Sequence, residues 1–316
     1  MRYGLTAMVL SAAEFVPITK SEYEKIGLAK RLLIETLYIE QKFDLIVGDL
    51  LDFETDILAL AAKNMLTGLT ESRSLFIEKN SISRRVVNLL SACRLYTDHV
   101  KHHLSEISRL AELNEDVGRY FRDEYDRSFA YRFMEALRNH VQHRGFPFHS
   151  LIYSSGWSSL DDNGKLIFSI GLSIDSTVLK EDGKFKASVL AELEALEEEI
   201  DLQEMIRRYI ESLGNIHVRI RQLLAKKIEE HEMIILKAID AFAQTPEGKD
   251  SIIGLAAVIE GEDEIVLEEI PLHREFIDLR KFYERRNRSL VNLSKRVASN
   301  EVREKKQKRR QHHTVR

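Results

Sequence analysis

Apolar residues recur at every third or fourth position through most of the first 145 residues, with polar residues between them. This spacing is typical of amphipathic α-helices that bury one face. It predicts two helices within residues 21–67 with a turn near residues 47–49, a third helix over residues 81–111 and a fourth over residues 114–145. Because four such helices can enclose one core, we expect a four-helix bundle over residues 1–147.

The pattern changes at residue 148. Residues 151–153 predict a short strand, residues 166–174 alternate between apolar and polar side chains, and the turn-forming residues 161–164 between them predict a β-hairpin. Helical spacing resumes at residue 186 and predicts long amphipathic helices as far as residue 242, either as a coiled-coil arm or as a second bundle. Short strands or buried connectors over residues 252–259 and 265–267 and a last helix after Pro271 complete the prediction. The predicted fold is mainly α, with the bundle followed by an α+β region at residues 148–302.

Composition narrows the class of protein. Charged residues make up 31% of the chain and hydrophobic residues 44%, with only four prolines, as in soluble helix-rich proteins. The net charge of −4 gives no overall attraction to nucleic acid, so an anionic ligand must meet a local cationic patch. A single cysteine, Cys93, excludes an internal disulfide framework and suits a reducing compartment. No apolar run reaches the roughly 18 residues of a membrane-spanning helix, so we expect a cytoplasmic protein with no membrane contact.

The last fourteen residues form a basic segment. Residues 303–316 contain seven lysines and arginines and one acid, Glu304, and we expect this tail to be disordered. Two interpretations are open. The tail either contacts the phosphates of a polyanion, releasing counterions, or it only improves solubility.

Candidate chemistry is concentrated in the sequence ALRNHVQHRGFP at residues 136–147. Arg138, Asn139, His140 and His143 lie on the last turns of a predicted helix, directly before a Gly and Pro stop signal. A guanidinium group can bind a phosphate through two parallel hydrogen bonds, and an imidazole can exchange a proton near neutral pH. This combination suits phosphoryl chemistry without a metal ion.

The sequence Arg138-Asn139-x-x-x-His143 resembles the R-x4-6-H motif of the HEPN superfamily, in which a polar residue follows the arginine. Members of that superfamily are small helical bundles, many of them metal-independent ribonucleases. The motif also lies where the resemblance requires it, near the end of a helix that closes a predicted bundle. The resemblance covers at most residues 20–146, less than half of the chain.

Two other Arg and His pairs have the same spacing, so the spacing alone is not informative. They are Arg94 with His99 and Arg144 with His149. A leucine follows Arg94 in the middle of a helix, and a glycine follows Arg144 beyond the helix end. Only Arg138 has both the polar neighbour and the expected position.

The resemblance implies a set of roles. His143 would act as general base or acid, Arg138 would bind the phosphate and Asn139 would orient the imidazole of His143. His140 and Arg144 are candidate substrate-binding residues. No cofactor or metal is implied. The resemblance implies that the substrate is RNA and that the protein forms a homodimer with a composite site. An antitoxin or another protein is a candidate partner. The implied biological role is that of a toxin or a phage-defence effector.

Three alternatives remain open at the level of sequence. Arg138, Asn139 and His143 can simply cap a helix C-terminus, where cationic side chains favour the exposed carbonyls. The bundle and the long C-terminal helices can form a non-catalytic scaffold or partner-binding protein. A metal ion can be held between helices by a group of histidines, namely His99, His102, His103, His140 and His143. Motifs for nucleoside triphosphates, dinucleotides, zinc proteases and α/β-hydrolases are absent from the sequence.

Overall fold

The computed structural model describes residues 1–7, 14–68, 72–111, 116–159, 164–181, 183–195, 200–246, 248, 253–288 and 290–298. The basic tail at residues 303–316 and most of the predicted turn at residues 161–164 lie outside this part of the chain. Within the described ranges, no helix combines the length and the apolar character needed to cross a lipid bilayer.

Helices make up most of the described chain, which confirms the prediction of a mainly α fold. In chain order the helices are α1 (Lys20–Thr67), α2 (Ser72–Ala111), α3 (Gly118–Arg127), α4 (Phe129–His143), α5 (Ser176–Glu181), α6 (Ala187–Glu194), α7 (Leu202–Ala243) and α8 (Glu275–Arg286). The long helix α1 packs along α2, α7 and α8, and α4 packs on α7.

Two small antiparallel sheets accompany the helices in the described part of the chain. The first has the strand order β2-β1-β6-β7, formed by β1 (Arg2–Ala7), β2 (Val16–Pro17), β6 (Leu255–Glu260) and β7 (Val266–Pro271). The second has the order β3-β4-β5, formed by β3 (Ser150–Trp157), β4 (Leu166–Ile174) and β5 (Ile200–Asp201). The pairing of β3 with β4 confirms the predicted hairpin. Strand β1, which the sequence did not predict, pairs with β6 from the far end of the chain.

The predicted turn near residues 47–49 was wrong, because α1 is one helix of 48 residues, or about 72 Å. Its N-terminus carries a capping box in which the Thr19 hydroxyl accepts from the Glu22 N–H and the Glu22 carboxylate accepts from the Thr19 N–H. Gly48 lies in the interior of the helix, and the buried positions continue on both sides of it at Ile46 and Leu50. A single glycine lowers the stability of a helix by only about 1 kcal/mol, so packing of the apolar face outweighs its effect.

The structure corrects the bounds of three further predicted helices. Helix α2 begins at Ser72 rather than at residue 81. The predicted fourth helix is interrupted at Ser128, whose extended backbone and hydroxyl, accepting from the Tyr131 N–H, end α3 and begin α4. The predicted long helix from residue 186 is divided into α6 and α7, since Asp201 pairs in β5 and caps α7 by accepting from Gln203 and Glu204.

The hydrophobic core is shared between the two predicted regions. One continuous cluster contains Phe43 and Phe133 from the first region together with Leu172, Ile210 and Phe242 from the second. The pairing of β1 with β6 joins the same two regions through a sheet. A domain boundary at residue 147 remains a prediction, and the packing of each region depends on the other.

A buried polar network crosses this core where α1, α2 and α7 meet. Arg221 Nε and Nη2 donate to the two carboxylate oxygens of Glu40 at 2.7 and 2.6 Å. His217 Nε2 lies 3.2 Å from Glu40 Oε2, and His217 Nδ1 lies 3.1 Å from the hydroxyl oxygen of Tyr96. The imidazole also stacks on the Phe43 ring with centroids 3.9 Å apart.

The network is satisfied when His217 is neutral and Glu40 is charged. In that state Nε2–H donates to Glu40 and Nδ1 accepts from the Tyr96 hydroxyl. Burial lowers the pKa of His217 below 6.5, which outweighs the opposing effect of Glu40. Burial alone would raise the pKa of Glu40, but the hydrogen bonds from Arg221 and His217 lower it to about 2.

Removing one partner of the buried ion pair should destabilise the fold strongly. Arg221→Met leaves the Glu40 carboxylate buried without its cation, and we expect the free energy of unfolding to fall by about 3 to 5 kcal/mol. The control is Arg208→Met on the same helix, where the Arg208 and Glu204 side chains are 54% and 44% exposed and the expected loss is under about 1 kcal/mol. Urea denaturation measures both variants. Equal losses would contradict the assigned role of the network.

Acid should destabilise the fold in two stages. A pKa that folding lowers means that the unfolded chain binds more protons, so stability is lost as pH falls. Loss should begin below about pH 6.5 because of His217, and a further loss of roughly 3 kcal/mol should follow between about pH 4.5 and 2 because of Glu40. Urea denaturation across this pH range measures both stages. A His217→Asn variant should lose part of the first stage and leave the part due to His149, whose pKa burial also lowers, and an unchanged profile would contradict the assignment.

Candidate functional site

A groove runs between α2, α3 and α4 and has a volume of about 690 Å³, which is within the usual size range of ligand sites. Six cationic side chains from the described residues line it: Arg94, Lys101, Arg122, Arg132, Arg138 and Lys186. Two carboxylates, Asp126 and Glu135, and three aromatic rings, Phe121, Tyr125 and Tyr131, complete its charged and aromatic lining. The groove therefore collects positive charge on a chain whose net charge is negative.

Four of these cations are engaged in ion pairs, and three of these pairs are close contacts. Arg132 donates to both carboxylate oxygens of Glu192 at 3.0 and 2.5 Å and to the backbone carbonyls of Tyr125 and Asp126, so it ties α4 to α6 and to the end of α3. Arg94 pairs with Asp98 at 2.6 Å, and Arg122 pairs with Asp116. These three side chains are held in place by the protein itself.

The two lysines of the groove lie against aromatic rings instead. Lys101 Nζ is 5.0 Å from the centre of the Phe121 ring, and Lys186 Nζ is 4.9 Å from that of Tyr125, to whose hydroxyl it also donates. Neither ammonium group has an ion-pair partner among the described residues. Cation–π contact holds such a group in position without neutralising its charge.

Arg138 lies in the groove wall, with its side chain 12% exposed. Its Nη2 donates to Asn139 Oδ1 at 2.6 Å and its Nη1 donates to Gln142 Oε1 at 3.0 Å. Its Nε is buried without a hydrogen-bond partner, 3.9 Å from a carboxylate oxygen of Glu135. That carboxylate also accepts from the hydroxyl of Tyr209 at 2.6 Å. Neutral amide oxygens thus hold the guanidinium, and an N–H remains unused.

His143 is the last residue of α4 and is exposed. It lies one turn beyond Asn139 on the same helix face, since residues four apart are neighbours on a helix surface. It does not line the groove, which contains Arg138 and Asn139. The structure therefore brings Arg138 and Asn139 into direct contact and places His143 beyond them at the exposed end of the helix.

The two predicted substrate-binding residues differ in exposure. His140 is buried with its ring edge-on to Phe185 at 6.0 Å between centroids. Arg144 is exposed, and its N–H donates to the His140 carbonyl at 2.8 Å to close the end of α4. A Cβ on Gly145 would lie 2.8 Å from His140 Nε2, so the glycine permits a close approach of the chain to the imidazole. Neither His140 nor Arg144 lines the groove.

The other predicted histidine group gives no metal centre among the described residues, where no set of three or more His, Cys, Asp and Glu side chains is arranged to hold an ion. His103 Nδ1 lies 2.6 Å from Glu35 Oε2 on α1, and its ring is near those of His99 and His102. The contact between His103 and Glu35 therefore joins α2 to α1.

Sequence reasoning missed the groove residues outside the motif. Lys101 is one of many charged positions on α2, and Lys186 directly precedes α6, far from the motif along the chain. Arg122 and Arg132 also gave no signal in the sequence, because a basic residue on a helix is usually a solvated surface position.

Comparison of the chain with protein-family models, with curated proteins and with solved structures gave no significant match.

Proposed function

We propose that the protein is a metal-independent endoribonuclease that binds RNA along the cationic groove and cleaves it beside Arg138. The observation that carries this proposal is the groove itself, in which Arg138 and Asn139 line the same cavity as cations from three other segments of the chain. Phosphates supply most of the affinity of proteins for nucleic acids, and they are bound by lysine and arginine. The HEPN-like motif and the cationic lining thus favour the same substrate.

The proposed reaction needs no bound metal. The 2′-oxygen of a ribose attacks the adjacent phosphorus as its proton passes to the imidazole of His143, and the bond to the 5′-oxygen breaks. The leaving 5′-oxygen takes a proton, and the products are a 2′,3′-cyclic phosphate and a 5′-hydroxyl. Arg138 binds the non-bridging oxygens, where negative charge accumulates. The second proton transfer requires another acid, which the resemblance assigns to a second copy of the chain in a homodimer.

A second candidate function is RNA or partner binding without cleavage. The position of His143 favours it, because this residue lies outside the groove lining while Arg138 is bound by Asn139 and Gln142. In the proposed enzyme, RNA replaces these amide contacts and extends past the end of α4 to His143. A cytoplasmic location, an antitoxin partner and a role in defence remain predictions from the sequence.

Cleavage should depend on the motif and not on metal. Wild-type protein in EDTA should cut total or transfer RNA and leave 2′,3′-cyclic phosphate ends, and Arg138→Ala and His143→Ala should abolish cutting. The matched control is His99→Ala, which removes an exposed histidine of the same spacing from Arg94. Mapping of the cut ends measures all four proteins. Equal cutting by all of them would indicate a contaminating nuclease, and none by any of them would favour the binding function.

The two unpaired lysines should contribute to RNA affinity rather than to the chemical step. For single-stranded RNA, Lys101→Ala and Lys186→Ala should each reduce the slope of log K against log salt by about 0.7, because each removes one released counterion. The cleavage rate at saturating RNA should be unchanged. Lys226→Ala, an exposed position on α7 outside the groove, is the control. Fluorescence anisotropy over a salt series measures the slopes, and equal slopes for all variants would place the RNA elsewhere.

A further inference from the structure

The outer side of β3 is an open sheet edge. Strand β3 pairs with β4 on one side through eight consecutive residue pairs, with no shift of register. Among the described residues no strand lies on its other side. Along that side, alternate residues direct their backbone N–H and C=O groups away from β4. Such an edge is a template for another extended strand.

This edge lacks the devices that normally prevent pairing between protein molecules. Neither β3, with the sequence SLIYSSGW, nor β4, with the sequence LIFSIGLSI, contains a charged residue or a proline. The β7 edge of the other sheet differs, because β7 carries the exposed Glu268 and Glu269 and its pairing with β6 contains a register shift. Natural sheets protect their edges with charges and bulges of this kind. The uncharged β3 edge is an exception in a chain that is 31% charged.

The end of the hairpin also presents apolar side chains without cover. Side chains alternate between the two faces of a strand, so Trp157 lies on the same face as Leu151 and Tyr153. Leu151 and Tyr153 pack against the core, whereas Trp157 is 64% exposed. Leu166, opposite Trp157 on β4, is 41% exposed. The apolar face of the hairpin thus extends past the part that the protein's own core covers.

We propose that β3 pairs antiparallel with β3 of a second copy of the chain about a two-fold axis at Ser154. Identical uncharged strands bring no like charges together, while a charged partner strand would find no opposite charge on this edge. In this register Trp157 of each copy lies opposite Leu151 of the other, on the same face, so each exposed tryptophan covers a half-buried leucine. The eight-residue edges exchange about eight backbone hydrogen bonds and form one six-stranded sheet.

The pairing is tested by a charge placed at the axis. Wild-type protein at micromolar concentration should sediment with twice the chain mass of 36.6 kDa. Ser154→Lys sets two ammonium groups opposite each other and should give the monomer mass. The matched control is Ser169→Lys, which is equally exposed and directly opposite Ser154 but on the interior strand β4, and it should remain dimeric. A monomeric wild type, or a dimeric Ser154→Lys variant, would overturn the proposal.

A cross-linking experiment tests the register and does not depend on the lysine variant folding. Cys93, the only cysteine, is buried, so Ser154→Cys introduces a single accessible thiol. Under mild oxidation Ser154→Cys should form a covalent dimer, since residues opposite each other across an antiparallel pair are close enough for a disulfide. Ser169→Cys should not. Absence of the Ser154→Cys cross-link would overturn the proposed register. Neither experiment measures RNA cleavage, so failure of this pairing and failure of the proposed function are seen in different measurements.

Discussion

The charged carboxylate of Glu40, buried between three helices, constrains the whole arrangement. A buried carboxylate is tolerated only with a cation and hydrogen-bond donors in place, and here Arg221 and His217 of α7 supply them. His217 is 177 positions from Glu40 along the sequence, so the requirement joins distant parts of the chain. Any sliding of α7 along α1 would separate the charge from its partners. The network thereby fixes the register of the two longest helices that cross the core.

This constraint extends to the walls of the groove. Tyr96 joins α2 to the network, and α2 carries Arg94 and Lys101 in one wall of the groove. On the other wall, Tyr209 of α7 donates to Glu135 of α4. Helix α7, from the second half of the chain, therefore contacts both helices that flank the site. The groove lies within the region predicted as an N-terminal bundle, but its geometry depends on a helix outside that region.

The sequence was sufficient for the parts of the fold that depend on local pattern. The apolar stripes predicted the helical positions, and the alternation of apolar with small or polar residues from Phe168 to Ile174 predicted β4 and its hairpin. The pattern failed where a local signal competed with packing, as at Gly48, or where one side chain ended a helix, as at Ser128. Strand β1 was missed because its partner β6 lies some 250 residues away, which no local pattern encodes.

In the candidate site, too, local sequence features were predicted and features that depend on tertiary packing were missed. Arg138 and Asn139 were identified because they are adjacent in a concentrated segment, and their hydrogen bond follows from that adjacency. Lys101 and Lys186 were not, since only tertiary packing brings them to the groove. The position of His143 outside the lining also depends on where α4 ends, which the sequence placed at Gly145 and the structure places two residues earlier.

The way each cation is held determines which of them can bind a ligand. Arg94, Arg122 and Arg132 face carboxylates, so a phosphate would have to compete with an existing ion pair for each of them. The aromatic contacts of the lysines leave their charges available. Arg138 is intermediate, because its hydrogen-bond partners are neutral amide oxygens and its ion pair with Glu135 is long, at 3.9 Å, so a phosphate oxygen that replaces the amides adds attraction between opposite charges. A phosphodiester chain would therefore be expected to contact the two lysines and Arg138, while Arg132 ties α4 to α6 and to the end of α3.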